Sequence, residues 1–153
     1  MLNKEVLKEI ADRFDKSKIV WGLGGSCTMC LQGIEVDPHD FDLFVIEQDF
    51  DAALHLLSHD GTFTQQGPEG IFASLRYAHG MFMGSPVDLI AGFRIVTPEK
   101  TTEYAFESDH IKMVPFEDIM IPCCLLEDWI VLYEAMGKQV KAYMIRSKLS
   151  IHN

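Results

Sequence analysis

The amino-acid sequence predicts an α/β fold built as a single domain, and three observations support this. Helical and strand patterns alternate along residues 3–60 in the order αβαβα. The chain has 153 residues, which suits one domain with a sizeable core. Hydrophobic residues make up 48% and charged residues 24%, as in ordinary globular proteins, so an intrinsically disordered chain is excluded.

The first predicted elements are a surface helix, a short strand and a second helix. Apolar residues recur at helical spacing across residues 3–15, which is typical of an amphipathic helix. Residues 18–21 are β-branched and aromatic, which predicts a strand, and the glycines that follow end it. We expect Ser26 to cap a helix over 27–32, and Gly33 to end that helix.

A buried strand, a helix and a hairpin are expected next. The mostly apolar run 41–46 predicts the strand, and residues 49–57 predict the helix. Residues 62–66 and 71–77 read as the two strands of a hairpin, because a Gly-Pro-Glu-Gly turn separates them.

The rest of the chain is predicted with less regular structure before it becomes helical. A strand is expected over 87–90, and residues 92–116 look irregular with short strand pieces. Pro115 and Pro122 are expected to bracket a helix start. Residues 123–148 predict one or two helices.

The charge of the chain restricts its partners. Acidic residues outnumber basic ones by 23 to 13, which gives a formal net charge of -10. Non-specific binding to nucleic acid is therefore not expected, because that affinity comes from Lys and Arg contacts with phosphates. No basic residue lies between Lys18 and Arg76, whereas residues 138–153 hold several and no acid. This basic tail is a candidate counter-charge for the acidic part.

Neither an export signal nor a membrane span is expected. The first residues begin a charged amphipathic pattern rather than the apolar run of a signal peptide. The longest apolar stretches, such as 119–126, are much shorter than the roughly 20 residues that cross a bilayer. Four cysteines are then best interpreted as reduced thiols. We therefore predict a cytoplasmic location and no membrane partner.

A glycine turn and a pair of carboxylates form the first candidate site. In Gly24-Gly25-Ser26, backbone N–H groups can approach an anion closely. After a gap of 13 residues, Asp40 and Asp42 open a strand, and both carboxylates share one face because side chains alternate along a strand. Carboxylates can hold a hard cation such as Mg²⁺. A metal beside a phosphate cradle is the arrangement that phosphoryl or nucleotidyl transfer needs.

A third carboxylate, Asp88, is the one acid in an apolar strand, where it needs a partner. If this strand pairs with that of Asp40 and Asp42, the three acids converge. They could then form a two-metal site in which Asp88 is also the base for an attacking hydroxyl. A structural acid bonded to backbone amides is the alternative for Asp88.

The segments 24–26 and 40–43, with the gap between them, resemble the signature of the nucleotidyltransferase superfamily, which includes DNA polymerase beta. The short chain and its tail are similar to small bacterial nucleotidyltransferases, among them lincosamide and aminoglycoside adenylyltransferases. The resemblance implies a nucleotidyltransferase fold, a mixed β-sheet flanked by helices with a C-terminal helical segment. It places the core at about 1–115 and the helical tail at about 116–150.

The resemblance also implies residue roles. In that superfamily the equivalents of Gly25 and Ser26 bind the triphosphate. Those of Asp40 and Asp42 hold magnesium, and that of Asp88 activates the acceptor. A homodimer is compatible with the resemblance, since many relatives close their site with a second chain.

The glycine turn has no Lys or Arg near it in the sequence. Lys138 and Lys141 of the basic tail, or Arg76, would have to contact the phosphates that Gly24 and its neighbours cradle. The predicted function is metal-dependent transfer of a nucleoside monophosphate from an NTP, expected to be ATP, to a hydroxyl of a small acceptor. The acid excess suggests that this acceptor is cationic.

Two alternatives stay open at this point. The lack of a basic residue beside the turn favours a non-catalytic binding module of the same fold, such as an antitoxin-type partner protein. Cys27 and Cys30 form a C-x-x-C pair at a strand-to-helix turn, which is where thioredoxin-like oxidoreductases carry their redox pair.

The Asp-Phe-Asp tripeptide also recurs at 49–51, where it is expected only to start a helix.

Overall fold

The computed structural model describes residues 2–152, which form five α-helices, nine β-strands and two short 3₁₀ turns. The helices are α1 Lys4–Lys16, α2 Gly25–Leu31, α3 Phe50–Ser58, α4 Leu126–Ala135 and α5 Gln139–His152. The strands are β1 Trp21–Leu23, β2 Phe41–Val45, β3 Gly61–Gln65, β4 Arg76–Phe82, β5 Ser85–Ala91, β6 Phe93–Val96, β7 Thr101–Tyr104, β8 Ile111–Phe116 and β9 Ile119–Cys124.

Seven strands form one mixed sheet in the order β3-β4-β5-β2-β1-β9-β8. β2 is parallel to β5 and β1 is parallel to β9, whereas the other neighbouring pairs are antiparallel. β6 and β7 form a separate antiparallel pair. The predicted α/β class, with a mixed sheet flanked by helices, is confirmed. The two strands that carry the candidate acids are neighbours at the centre of the sheet.

The two faces of the sheet bury separate hydrophobic clusters. On one face, α1 and α3 pack against β-strand residues such as Leu43. On the other face, Phe44 and Ile90 pack in a cluster with α4 and α5. Because side chains alternate along a strand, Asp42 and Asp88 share the face of Phe44 and Ile90. The acids therefore lie on the side of the two C-terminal helices.

The predicted first helix is confirmed, whereas the strand expected over 18–21 forms at Trp21–Leu23. The chain first closes the end of α1. Lys18 adopts a φ of +57°, and the Ile19 N–H donates to the Phe14 carbonyl oxygen (2.9 Å). These residues form the C-terminal turn of the helix, so the β-branched pattern begins before the extended backbone does.

Helix α2 begins at Gly25, two residues before the predicted start, and Ser26 is not its cap. Gly24 is the N-cap residue, and no side chain caps the helix. The Gly24 N–H donates to the Asp42 carbonyl oxygen (2.9 Å), which continues the pairing of β1 with β2 up to the helix. The hydroxyl of Ser26 is therefore free to contact Lys141 instead.

The predicted hairpin forms, but its second strand is Arg76–Phe82 rather than 71–77. Gly80 lies inside this strand, where a Cβ atom would come within 2.1 Å of the Thr62 carbonyl oxygen. A glycine that looks like a turn residue is therefore required for close approach of β3 and β4. The segment 71–75 instead bonds to β6, through the Ala73 N–H and others.

The helical tail begins later than predicted. Pro115 and Pro122 do not bracket a helix, because they lie in β8 and β9, which form a hairpin. The first of the two C-terminal helices, α4, starts at Leu126 rather than near residue 116. Gly137, with a φ of +78°, lies in the turn between α4 and α5. No helix within residues 2–152 is both long and apolar enough to cross a membrane.

Candidate active site

The three candidate carboxylates lie together because β2 and β5 are parallel neighbours. Their register places Asp42 directly opposite Asp88, and Asp40 lies just before β2. All three line a single cavity of about 930 Å³. The predicted convergence of three acids is thus present in the folded chain, while their chemical roles stay predictions.

The carboxyl of Asp42 has a strongly raised pKa. Burial raises the pKa of its carboxyl, and the negative charges of Asp88 and Asp40 and a hydrogen bond with Asp88 raise it further, to about 8. The positive charge of Lys141 acts in the opposite direction. Negative charge is therefore in excess at this point, and a bound cation would offset it.

The glycine turn is packed so closely that a side chain at either glycine would force a neighbouring group to move. At Gly25, where φ is +57°, a Cβ atom would lie 2.3 Å from Asp42 Oδ2. At Gly24, a Cβ atom would come within 2.4 Å of the Phe44 ring and 2.7 Å of the Trp129 ring. Gly25 thus lets the carboxylate lie directly against the backbone at the start of α2.

Lys141 of α5 supplies the cation that the sequence lacks near this turn. Its Nζ donates a hydrogen bond to Ser26 Oγ (2.8 Å), and Lys138 lines the same cavity. Burial lowers the pKa of Lys141 and the neighbouring Lys138 acts in the same direction, while Asp42 opposes them. Arg76, the other predicted source, instead donates to a carboxylate of α3 (2.7 Å). The observation that favoured a non-catalytic module does not hold in the folded chain.

Of the eight residues predicted from the sequence to form the site, seven line the cavity. They are Gly25, Ser26, Asp40, Asp42, Asp88, Lys138 and Lys141. Gly24, the eighth, packs against the aromatic rings described above.

Two polar side chains beside Asp88 were not predicted. The Tyr77 hydroxyl donates to Asp88 Oδ1 (2.8 Å), and His79 Nδ1 lies 2.6 Å from the same oxygen. The partners of Asp88 are thus side chains rather than the backbone amides of the structural alternative. The predicted strand ended at residue 77, which left His79 outside it, although alternation of Tyr77 and His79 is a usable signal.

An aromatic wall, formed by Phe72, Phe93 and Trp129, lines the cavity and was also not predicted. The Phe72 ring stacks on Phe93 (centroids 6.0 Å apart, 17° between planes), and Phe93 stacks on Trp129 (6.2 Å, 26°). Phe72 is 41% exposed, and its backbone pairs with Ile95 of β6. The wall is an apolar surface suited to a flat or cyclic ligand.

The carboxylates fit a hard divalent cation by their chemistry. Within residues 2–152, no three His, Cys, Asp or Glu side chains are already arranged around a position for a metal ion. Asp40, Asp42 and Asp88 nevertheless provide oxygen donors of the kind that Mg²⁺ prefers. Burial and then the negative charges of Asp88 and Asp40 raise the pKa of Asp42, and a cation would offset the contribution of those charges. The donor chemistry of the three carboxylates, rather than a preformed arrangement, therefore suits a divalent metal.

The cysteines do not have the environment of a redox pair. Burial raises the pKa of the Cys27 thiol well above its usual range, whereas reactive dithiols have a lowered pKa. Its Sγ donates to the Asp40 carbonyl oxygen (3.1 Å). Burial likewise raises the pKa values of Cys123 and Cys124 to about 12. These thiols are structural, which argues against the dithiol oxidoreductase.

Replacing Cys30 tests this conclusion with little risk to the fold, since Cys30 is only partly buried. We expect Cys30→Ser to keep the rate of the predicted nucleotide transfer within about 2-fold of the wild type, because substitutions away from a functional site have small effects. The measurement is the initial rate with and without a thiol reductant. A rate that depends on Cys30 or on the reductant would restore the redox hypothesis.

Comparison with known proteins identifies the fold and the family of the chain. A comparison with curated protein sequences gives no match. Among solved structures, a candidate nucleotidyltransferase from Thermotoga maritima (TM1012) has a TM-score of 0.77 and 22% identity, covering 98% of this chain and 96% of that chain. The lincosamide antibiotic adenylyltransferase LnuA, solved with lincomycin, has a TM-score of 0.64 and 17% identity, covering 95% and 98%.

A third structure, ANT(2'')-Ia in complex with adenylyl-2''-tobramycin, has a TM-score of 0.64 and 9% identity, covering 95% of this chain and 88% of that chain. At these identities the three structures establish the shared fold. The model of the aminoglycoside-2''-adenylyltransferase family matches residues 6–144, nearly the whole sequence. The chain therefore belongs to the aminoglycoside-2''-adenylyltransferase family, whose members are nucleotidyltransferase enzymes.

Proposed function

We propose that this chain transfers AMP from ATP to a hydroxyl group of a small cationic acceptor. The observation that carries the proposal is the register of Asp42 with Asp88, directly beside Gly25 and the Ser26–Lys141 contact. Acids, phosphate cradle and cation thus meet in one cavity of about 930 Å³, which is large enough for a nucleotide and an acceptor.

The triphosphate is proposed to bind at the glycine turn and α5. Lys141 Nζ and Ser26 Oγ, now bonded to each other, are both groups that can bond to phosphate oxygens. Lys138 adds a second positive charge in the same cavity. The missing side chain at Gly25 lets the Asp42 carboxylate lie directly against the backbone of this turn, which keeps a proposed metal ligand next to the phosphates.

Mg²⁺ is proposed to be held by Asp40, Asp42 and Asp88. When bound, it supplies neutralisation of the triphosphate charge and polarisation of the phosphate that is transferred. Asp88 accepts the proton of the acceptor hydroxyl. The hydroxyl oxygen then forms a bond to the α-phosphorus as the bond from that phosphorus to the bridging oxygen of pyrophosphate breaks.

The acceptor is proposed to be an amine-bearing cyclic antibiotic. Glu69 lines the cavity together with the acids of the site, and the net charge of -10 attracts a cation. The family carries an aminoglycoside adenylyltransferase name, and ANT(2'')-Ia was solved with an adenylylated tobramycin. The aromatic wall of Phe72, Phe93 and Trp129 offers a surface for the ring of such a molecule.

The test is incubation with Mg²⁺, labelled ATP and a panel of aminoglycosides and lincosamides, followed by mass analysis of the acceptors. Addition of one AMP to an aminoglycoside, lost in Asp40→Asn/Asp42→Asn, supports the proposal. ATP binding that is unchanged in this double variant, without transfer to any acceptor, would instead support a non-catalytic binding module.

Lys141 provides a further prediction within the site. We expect Lys141→Gln to weaken ATP binding by about 10-fold, because one charge-assisted hydrogen bond to phosphate is lost. Isothermal titration calorimetry with ATP measures this change in affinity. Lys148→Gln is the matched control, since Lys148 lies on the same helix but over Gly33. Equal weakening by both substitutions would indicate a general charge effect rather than a phosphate contact.

The setting of the enzyme is also part of the proposal. ATP and reduced thiols are features of the cytoplasm, which we propose as its location. We also propose that residues 1–153 form a single domain. The homodimer that the resemblance allows is to be checked by light scattering.

A further inference from the structure

The contacts of Asp88 support a further inference, which rests on the proposed function. Asp88 lies in the middle of β5 with its side chain 17% exposed. Its Oδ1 accepts a hydrogen bond from the Tyr77 hydroxyl (2.8 Å) and lies 2.6 Å from His79 Nδ1. Both contacts are made by the same carboxylate oxygen, which leaves Oδ2 free of them.

The sheet itself holds the Tyr77 hydroxyl and the His79 ring in place. Tyr77 and His79 are two residues apart on β4, so their side chains share one face. The antiparallel pairing of β4 with β5 puts His79 opposite Asp88 and Tyr77 opposite Ile90. His79 therefore approaches Asp88 from directly across the strand pair, and Tyr77 approaches it from the diagonal position.

We propose that Tyr77 and His79 are positioning residues that fix the Asp88 carboxylate so that Oδ2, rather than Oδ1, serves both the proposed metal and the acceptor hydroxyl. The final torsion of an aspartate side chain is broad, so an unrestrained carboxylate rotates and exchanges its two oxygens. Two hydrogen bonds to Oδ1 prevent this rotation. The base is then ordered before the acceptor arrives, and this ordering contributes to the rate rather than to ATP binding.

Kinetics of the full chain test the proposal. Tyr77→Phe removes the hydroxyl but keeps the ring, and His79→Ala removes the imidazole, whereas His79→Gln keeps an N–H donor. We expect Tyr77→Phe and His79→Ala each to lower kcat by about 10-fold while the Kd for ATP stays the same, and His79→Gln to recover part of the loss. Equal loss in His79→Gln and His79→Ala, or a parallel loss of ATP affinity, would overturn the proposal.

Two further measurements separate this proposal from the proposed function. If Tyr77 acts through Asp88, Tyr77→Phe has no additional effect on kcat in an Asp88→Asn background, whereas an unchanged 10-fold effect there would overturn the proposal. Independently of any activity, ¹⁵N NMR should find a proton on His79 Nδ1, and a proton on Nε2 alone would overturn it. A wild-type chain that transfers no nucleotide, with Nδ1 protonated, would contradict the proposed function instead.

Discussion

Asp42→Asn is expected to remove nucleotide transfer and, at the same time, to stabilise the metal-free protein. Transfer should fall by about 10³-fold or more, because Asp42 is a proposed metal ligand beside the reacting phosphate. Stability should rise because the substitution removes a buried carboxyl whose ionised form is opposed by desolvation and by the negative charges of Asp88 and Asp40. A gain of about 1 kcal/mol corresponds to roughly 2–4 °C in the melting temperature of a chain of this size.

The same substitution should change how stability depends on pH. In the metal-free protein the pKa of Asp42 lies at about 8, above its ordinary value of 3.8. Between these values the folded state binds more protons than the unfolded state, so stability falls as the pH rises towards 8. In Asp42→Asn this contribution is absent, and the difference in melting temperature from the wild type should widen between pH 5 and pH 8.

Asp51→Asn is the matched control, since Asp51 ends the second Asp-Phe-Asp tripeptide and its side chain is 78% exposed outside the cavity. It should change neither transfer nor the pH profile by more than a small amount. The measurements are initial transfer rates and melting temperatures in the presence of a chelator. A lower melting temperature for Asp42→Asn at pH 8 would contradict this account of the carboxylates.

Gly25→Ala should also abolish most of the activity, for a steric reason. The new Cβ atom would lie 2.3 Å from Asp42 Oδ2, on a backbone with φ of +57°. The carboxylate or the start of α2 must therefore move, and a displacement of about 1 Å in a reacting group can cost about 10²-fold in rate. The left-handed backbone adds about 1–2 kcal/mol of destabilisation for any residue with a Cβ atom.

Gly84→Ala separates the effect of the contact with Asp42 from the effect of the left-handed backbone. Gly84 also has a positive φ, of +80°, but nothing lies within 4 Å of a Cβ atom placed there. It should therefore share the loss of stability and keep the transfer rate. Rates and melting temperatures of both variants provide the comparison, and equal activity in the two would show that the contact with Asp42 has no catalytic importance.

The central part of the site could be predicted because the residues that form it lie close together in the sequence. Gly25, Asp40 and Asp42 lie within one short segment, where strand alternation and a glycine turn fix their relative placement. Asp88 could be added because a single acid in an apolar strand requires a partner. The family resemblance then assigned roles to residues that the pattern had already selected.

The remainder could not be placed because it depends on pairing between distant segments. Gly80 looks like a turn residue, and only its contact with Thr62 reveals it as part of a strand, so the register that brings His79 to Asp88 was lost. Lys141 is 115 residues from Ser26 along the chain. Its charge was a reasonable candidate, but only the packing of α5 selects it over Arg76.

The aromatic wall also provides a built-in optical reporter of occupancy. The chain has two tryptophans, and they lie in different surroundings. Trp129 lines the cavity, whereas Trp21 packs edge-on against Phe14 and donates to Asp15 (3.1 Å) in the other cluster. Ligand that enters the cavity changes the surroundings of one indole and leaves the other as an internal reference. Binding can thus be followed by intrinsic fluorescence in the unlabelled native chain, before any product is formed.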